Sequence, residues 1–280
     1  MSRFVFRLFP FAFFLFCLSG HAQEQPIRLT YQSTMLGLGT SHVFDSYLSP
    51  LKYSGINIGL VYERMRMIGL GDGNFSFQHQ FFANYSYTEN NTKTASDYTG
   101  LIEYYLGMPY RFNLNGKFQL FAGPQAGILF GLIYNSRNGN NPASAKVNAN
   151  LGLSGMAAYK LMIRSQPVRF RYQLNLPVAG SMYSPQYGES YYEIGLGNSD
   201  KLFYMSSFHN HFAFRNILSV ELPLNWITIR GAWVNSFYQT KVNDLMTQYR
   251  SNSFYIGISK NFYVVNGRKS DEGKYSNVFK

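Results

Sequence analysis

Residues 168–178 read Val-Arg-Phe-Arg-Tyr-Gln-Leu-Asn-Leu-Pro-Val, apolar at every even position and polar at most odd ones. Side chains of an extended chain alternate faces, so Val168, Phe170, Tyr172, Leu174, Leu176 and Val178 share one surface while Arg169, Arg171, Gln173 and Asn175 share the other. A period of two is a strand signal. What the chain becomes depends on which of the two surfaces meets protein, water or lipid.

The same period recurs at 27–40, 53–68, 74–88, 98–112, 117–134, 146–163, 212–224, 226–238 and 251–263, which gives about ten strands. The stretches between them alternate in length. Segments 41–52, 89–97, 135–145, 179–209 and 239–250 are long and polar, whereas 69–74, 113–116, 164–167 and 223–225 are short and rich in Gly, Pro or Asn. With antiparallel neighbours, every long connection then lies at one end, as in outer-membrane barrels with short periplasmic turns and long external loops. The strands also run to about eleven residues or more, enough for a tilted crossing of the hydrocarbon layer. A secreted β-sandwich is the competing fold, but its strands are typically about five or six residues long. The expected fold is therefore all-β, a single transmembrane up-and-down antiparallel β-barrel of about ten strands.

A barrel in lipid turns the amphipathic pattern inside out, with apolar faces outward and polar faces inward. An Arg on the lipid face would cost roughly 2–4 kcal/mol at the midplane. Glu63, Glu103, Arg169, Arg171, Arg215, Glu221 and Arg230 are thus predicted to form a polar network in one lumen. A ten-stranded barrel is only slightly wider than the eight-stranded barrels that side chains fill. The expectation is a paired, plugged interior, with a narrow solute channel as the alternative.

The N-terminus has Arg3 and Arg7, an apolar run over 8–18, and Gly20 and Ala22 placed for cleavage before Gln23. This is the pattern of a secretory signal peptide. The expected organisation is a signal over 1–22, a barrel over 23–265 and a polar tail over 266–280. After residue 22 no apolar run reaches the length of about 18 residues that a membrane helix needs. The single cysteine, Cys17, lies inside the signal, so the mature chain offers no disulfide, thiol catalysis or Cys-based metal site. Losing Arg3 and Arg7 lowers the formal charge from +11 to +9. The remaining cations are scattered rather than clustered, which argues against a nucleic-acid partner and fits anionic lipid headgroups. The expected location is the outer membrane of a diderm bacterium after Sec export. Outer-membrane lipid is the expected contact, and a protein partner would be reached through the external loops.

Phosphate-loop, dinucleotide, His-Glu-x-x-His, calcium-loop and Gly-x-Ser-x-Gly motifs are absent, and no cofactor or metal is expected. One region merits a test for chemistry. Ser207, His209 and His211 share a face if the segment is extended, close to Glu189, Glu193, Ser206 and Asn210, and a serine beside a base is the minimum of an acyl hydrolase. An outer-leaflet lipid or peptide hydrolase is thus a third function class, beside a structural or interaction protein and a channel. Polar and aromatic residues at the rim of an external loop explain the same composition without catalysis. His79 falls on the apolar face of Phe75, Phe77 and Phe81, where an interfacial position fits better than a functional one.

The segments Thr34-Met-Leu-Gly-Leu-Gly, Tyr47-Leu-Ser-Pro-Leu-Lys-Tyr-Ser-Gly55, Ser184-Pro-Gln-Tyr-Gly-Glu-Ser-Tyr-Tyr-Glu-Ile194 and Ser207-Phe-His-Asn210 resemble an uncharacterised family of secreted Bacteroidetes proteins. The resemblance covers most of the mature chain and implies an outer-membrane barrel without a known activity, so it assigns no residue a role. Leaning away from an enzyme, the reading is an outer-membrane protein with a structural, interaction or surface role.

Overall fold

The computed structural model describes residues 27–28, 30–70, 73–164, 166–197, 201–224, 226–262 and 275–276. The proposed signal over 1–22, and the tail over 266–280 apart from Tyr275–Ser276, lie outside the described residues. Ten antiparallel strands close into one barrel: β1 (Thr30–Asp45), β2 (Tyr53–Met67), β3 (Ser76–Asn90), β4 (Ser96–Gly107), β5 (Phe118–Asn135), β6 (Ala143–Ile163), β7 (Gln166–Tyr183), β8 (His211–Pro223), β9 (Thr228–Val242) and β10 (Leu245–Phe262). Each pairs with its sequence neighbours, and β10 returns to β1 from Thr247↔Asp45 to Phe262↔Thr30. Closure leaves no barrel strand as a sheet edge, which lipid would not tolerate. Among the described residues no helix is long and apolar enough to cross a membrane.

The alternation sets the orientation of every wall strand. Along β3, Ser76, Gln78, Gln80, Phe82, Asn84, Ser86 and Thr88 are buried, while Phe77 and Tyr85 are exposed. The outer band includes Leu36, Leu38, Ile58, Ile102, Phe130, Leu151 and Phe254, with Phe254 at 73% exposure. Large apolar side chains at such exposure would be anomalous in water and are normal on a lipid-facing barrel wall.

Strand boundaries differ from the sequence expectation where the chain stands clear of the apolar band. β1 runs on to Asp45, so the loop expected at 41–52 shortens to 46–52. The loop expected at 239–250 is replaced by two strand ends joined at Asn243 and Asp244, with φ of 55° and 57°. Two successive positive φ values are the mark of a tight type I′ hairpin. Thr240, Leu245, Thr247 and Tyr249 of this projecting hairpin are buried over the mouth, but polar residues stand on both of its faces, which blurs the alternation. The connections at this end are now 46–52, 91–95, 136–142, 184–210 and 243–244; those at the other, the turn end, are 68–75, 108–117, 164–165 and 224–227.

Two irregularities interrupt the wall. β4 stops at Gly107, and after Met108 and Pro109 the chain resumes as a short strand, Tyr110–Asn115, paired with the start of β5. Gly123 lies against this kink, where a Cβ would stand 2.5 Å from the Met108 carbonyl oxygen. In β7, Leu151 pairs with Ala179 and Gly152 with Pro177, which leaves Val178 as an extra residue. This bulge reverses the alternation, so Asn175 and Pro177 point inward before it and Met182 after it. Val168, predicted for the face of Phe170 and Tyr172, is buried instead. On the other edge of β7, residues 176–178 lie opposite 208–214 without ladder pairing, between Asn175↔Arg215 and Ala179↔Ser207.

Candidate functional site

The lumen is filled from the turn end upward. Tyr31, Met65, Met67, Phe121, Met156 and Ala158 form an apolar plug there. The sequence pattern did not disclose it, because these residues sit where β1, β2, β5 and β6 carry their inward positions below the polar layers. Next come the charges. Arg171 donates from Nη2 to Glu63 Oε1 at 2.6 Å and from Nη1 to Glu221 Oε1 at 3.2 Å, Arg169 reaches Glu221 Oε2 at 2.8 Å, and Arg230 pairs with both acids. Tyr31 donates its hydroxyl to Glu221, and Gln78 adds a bond to Glu63 Oε1 at 2.7 Å. Except for the half-buried Arg169, every charge in this layer is buried. Burying such charges is tolerable only with counter-charges this close.

Above this layer, Gln173 and Asn175 of β7 bond Gln78 and Gln80 of β3 across the interior. Glu103 pairs with Arg215, also from across the barrel, and accepts from Tyr105 at 2.7 Å, while the Arg215 guanidinium stands 3.9 Å from the Phe82 ring centroid. Of the seven charged residues predicted for the lumen, five meet in one layer (Glu63, Arg169, Arg171, Glu221 and Arg230), and Glu103 and Arg215 form a separate pair.

The interior retains a cavity of about 30 Å³ beside Arg215, lined by Asn148, Asn150, Pro177, His211 and Tyr238. Such a volume holds one or two waters and no solute. Arg215 Nη1, His211 Nε2 and Asn150 Oδ1, which have no hydrogen-bond partner among the described residues, belong to this group of lining side chains.

At the loop end, Lys146 of β6 spans the mouth to Asp45 of β1 at 2.7 Å, with Thr247 as its second partner at 2.7 Å. β6 and β1 are five strands apart in a ring of ten. The sequence does not disclose this pair: its pattern puts Asp45 in the loop over 41–52, and no local signal joins residues 101 positions apart. The long connection after β7 folds over this bridge. Tyr47 donates to the Glu189 carbonyl at 2.7 Å, the Ala145 N–H donates to Tyr191 Oη at 2.6 Å, and Asn243 donates to the Pro185 carbonyl at 3.0 Å. Burial under this loop pushes the Tyr47 phenol up to about 12. Inside the loop, the short helix α1 (Tyr191–Gly195) has a capping box in which Ser190 accepts from the Glu193 N–H while the Glu193 carboxylate accepts from the Ser190 N–H. The same Ser190 contacts hold the Glu193 carboxyl below its ordinary value. Tyr187 and Tyr192 remain 75% and 76% exposed on the outside of the loop.

The Ser207, His209 and His211 group is split. Ser207 ends a short strand, Phe203–Ser207, and residues 208–210 turn, so the three side chains do not share the face an extended chain would give them. Ser207 Oγ lies 2.5 Å from His209 Nδ1 on the surface, while Asn210 accepts from the Ser207 N–H at 3.0 Å and donates to the Met205 carbonyl at 2.9 Å. His211 turns into the lumen beside Asn148. Among the described residues no three His, Cys, Asp or Glu side chains gather as metal ligands. On the outer wall His79 bonds the Tyr104 hydroxyl at 2.6 Å.

A closed ten-strand wall with an apolar exterior and a packed polar interior defines a transmembrane β-barrel of the outer-membrane type. The chain belongs to the family described as protein of unknown function (DUF3316), whose model matches residues 9–269. Among solved structures it is similar in fold to the transport unit of the autotransporter AIDA-I from Escherichia coli, at 10% identity and a TM-score of 0.50, with 91% of this chain and 94% of that one covered. The outer membrane protease OmpT from Escherichia coli aligns over 84% of this chain and 97% of its own, at 8% identity and a TM-score of 0.47. No curated protein sequence matches the chain.

Proposed function

We propose that the protein is an outer-membrane barrel whose lumen is a structural core and whose activity lies in its outward surfaces: a surface or interaction protein, held in lipid, that meets partners through its loop end. The observation that carries this reading is the pair of ionic bridges, Arg171–Glu63 and Lys146–Asp45, that cross the interior at two heights. The water-sized cavity between the walls supports it further. Segment 184–210 is the surface offered to a partner, tied inward at Tyr191 and presenting Tyr187, Tyr192, Phe203 and Met205 outward. In this reading residues 1–22 direct Sec export and are cleaved before Gln23, residues 23–265 form the barrel, 266–280 form a tail, and the barrel resides in the outer membrane of a diderm bacterium.

The deciding experiment is conductance of the refolded mature chain in planar bilayers, alongside heat-dependent gel migration. The expected record is baseline current from a protein that shows the migration shift of a folded barrel. Regular single-channel steps would overturn the filled-lumen reading, and a chain soluble without detergent and lacking the gel shift would overturn the barrel's placement in a membrane.

A further inference from the structure

Charge is unevenly distributed along the barrel axis. Apart from the lumen acids Glu63, Glu103 and Glu221, the described acids are Asp45, Glu89, Asp97, Glu189, Glu193 and Asp244, all at the loop end. The turn end carries Arg64, Arg66, Lys117, Lys160, Arg164 and Lys260. Three of these fall on one outward patch. Lys260 of β10 pairs in register with Gln32 of β1, and Gln32 pairs with Arg64 of β2 on its other side. All three occupy outward positions of their strands. Two interstrand spacings put the Arg64 and Lys260 backbones about 10 Å apart, close enough for both long side chains to meet at one anion. Arg66 follows on the same face of β2.

Aromatic rings brace the two heads. The Arg64 guanidinium is 5.9 Å from the Phe262 ring centroid, and Lys260 Nζ is 5.9 Å from that of Trp226. Neither cation has a carboxylate partner among the described residues. Toward the middle of the wall, the face of β2 continues from Arg64 through Tyr62 to Leu60 and Ile58. There an open apolar groove of about 540 Å³ runs between Leu36, Ile58 and Leu60 on one side and Ile102 and Leu132 on the other. Ala83 and Gly100 lower its floor, and a Cβ on Gly100 would meet nothing within 4 Å.

We propose that this patch is a binding site for an anionic glycerophospholipid, with the phosphodiester held between Arg64 and Lys260 and one acyl chain laid along the groove over Ala83 and Gly100. The cations answer the phosphate charge, the rings sit at the depth where headgroup meets hydrocarbon, and the groove has the scale of a single chain. The inference rests on the barrel spanning a bilayer, and heat-dependent gel migration of each variant reports that premise separately.

The test is electron spin resonance of the full mature chain in phosphatidylcholine bilayers at low ionic strength. It compares the motionally restricted fraction of spin-labelled phosphatidylglycerol with that of spin-labelled phosphatidylcholine. The wild type is expected to prefer the anionic lipid, and Arg64→Gln and Lys260→Gln each to weaken the preference by about fivefold. Lys52→Gln with Lys93→Gln, which removes two charges from the loop end where each test variant removes one, should leave it intact. Gly100→Leu, or Ala83→Leu should the glycine variant fail the gel shift, is expected to reduce retention of both lipids alike. An unchanged preference in the Arg64 and Lys260 variants overturns the site, as does an equal loss in the Lys52 and Lys93 variant, which would mean diffuse charge attraction. Unaltered retention in the groove variants removes the acyl-chain part.

Discussion

Glu63 and Arg171 meet at 2.6 Å from β2 and β7, strands on opposite sides of the ring, so their bond is a strut across the full width of the barrel. Glu63 also holds Arg230 through its other oxygen, so one carboxylate compensates two buried guanidinium groups. The interior is thereby held by geometry that neither strand could supply alone.

Glu63→Gln keeps the shape and removes the charge, leaving Arg171 and Arg230 to share Glu221. Breaking a buried pair in this way costs about 3–5 kcal/mol. Arg169→Gln removes a contact to Glu221 from a side chain that is 20% exposed, and should cost less than about 1 kcal/mol. Urea midpoints of the two variants in micelles measure the difference. Equal midpoints would refute the lumen network as the core of the fold.

Lys146→Met removes the strut at the mouth and leaves Asp45, 2% exposed, without its cation. The expected loss is again about 3 kcal/mol, but confined to the loop end. Limited proteolysis should cut within 184–202 several times faster than in the wild type while the gel shift of the barrel persists. Unchanged cleavage would mean that the Tyr47, Tyr191 and Asn243 contacts hold the loop without the bridge.

Strand number and the closure of the barrel could be read from alternation, because the apolar band forces a period of two wherever the wall meets lipid. The signal fades where that constraint ends. The hairpin of β9 and β10 above the band carries polar residues on both faces, with Leu245 and Tyr249 buried among the inward ones, so its sequence reads as a loop over 239–250. The β7 bulge was invisible for a different reason, since Pro177-Val178 continues the apolar pattern while the register changes underneath it. Which acid met which base was also beyond reach: Glu63 and Arg171 are 108 residues apart, and only the shear of the closed sheet brings them level. The split between Ser207 with His209 and the buried His211 depends on a turn closed by Asn210, a local signal that was available in the Ser-Phe-His-Asn order and was read as extended.

Asn243 and Asp244 hold φ of 55° and 57° in the two-residue turn between β9 and β10. Asn tolerates this conformation and also binds the Pro185 carbonyl, whereas Asp244 makes no side-chain hydrogen bond among the described residues that offsets its strain. Asp244→Gly should therefore stabilise the barrel by about 0.5–1 kcal/mol, and Asp244→Val should destabilise it by a similar or larger amount. Thermal unfolding in detergent gives both signs in one series.

Glu193 caps α1 from the far side of Ser190, and its carboxyl is held below the ordinary value of 4.5 by the Ser190 N–H and hydroxyl. A depressed carboxyl contributes order above the ordinary value and loses it as the pH falls through the lower folded value. Expressed from Gln23, the chain has no cysteine, so a spin label on Tyr192→Cys reports α1 alone. Its mobility should be constant near neutrality and rise as the pH falls below 4.5. Glu193→Gln should abolish the step, because an amide does not titrate; a step of the same size in that variant would assign it to another group.

Ser207 Oγ and His209 Nδ1 are 2.5 Å apart, the contact expected of a nucleophile and its base, yet the surroundings are those of a turn. A base that activates serine needs a third group to orient the ring, and the neighbouring amide of Asn210 is already engaged with the Ser207 N–H and the Met205 carbonyl. Both side chains also lie on the surface, where water competes for every hydrogen bond that would stabilise an oxyanion. Acyl release from phospholipid or ester substrates should therefore be indistinguishable among the wild type, Ser207→Ala and His209→Ala, all at the rate of protein-free micelles. Asn210→Ala, by contrast, should loosen the 207–210 turn and cost about 1 kcal/mol of stability by removing its two contacts to the backbone. Release that exceeds background in the wild type and falls in both the Ser207 and His209 variants would reverse this assignment and make the turn a catalytic dyad.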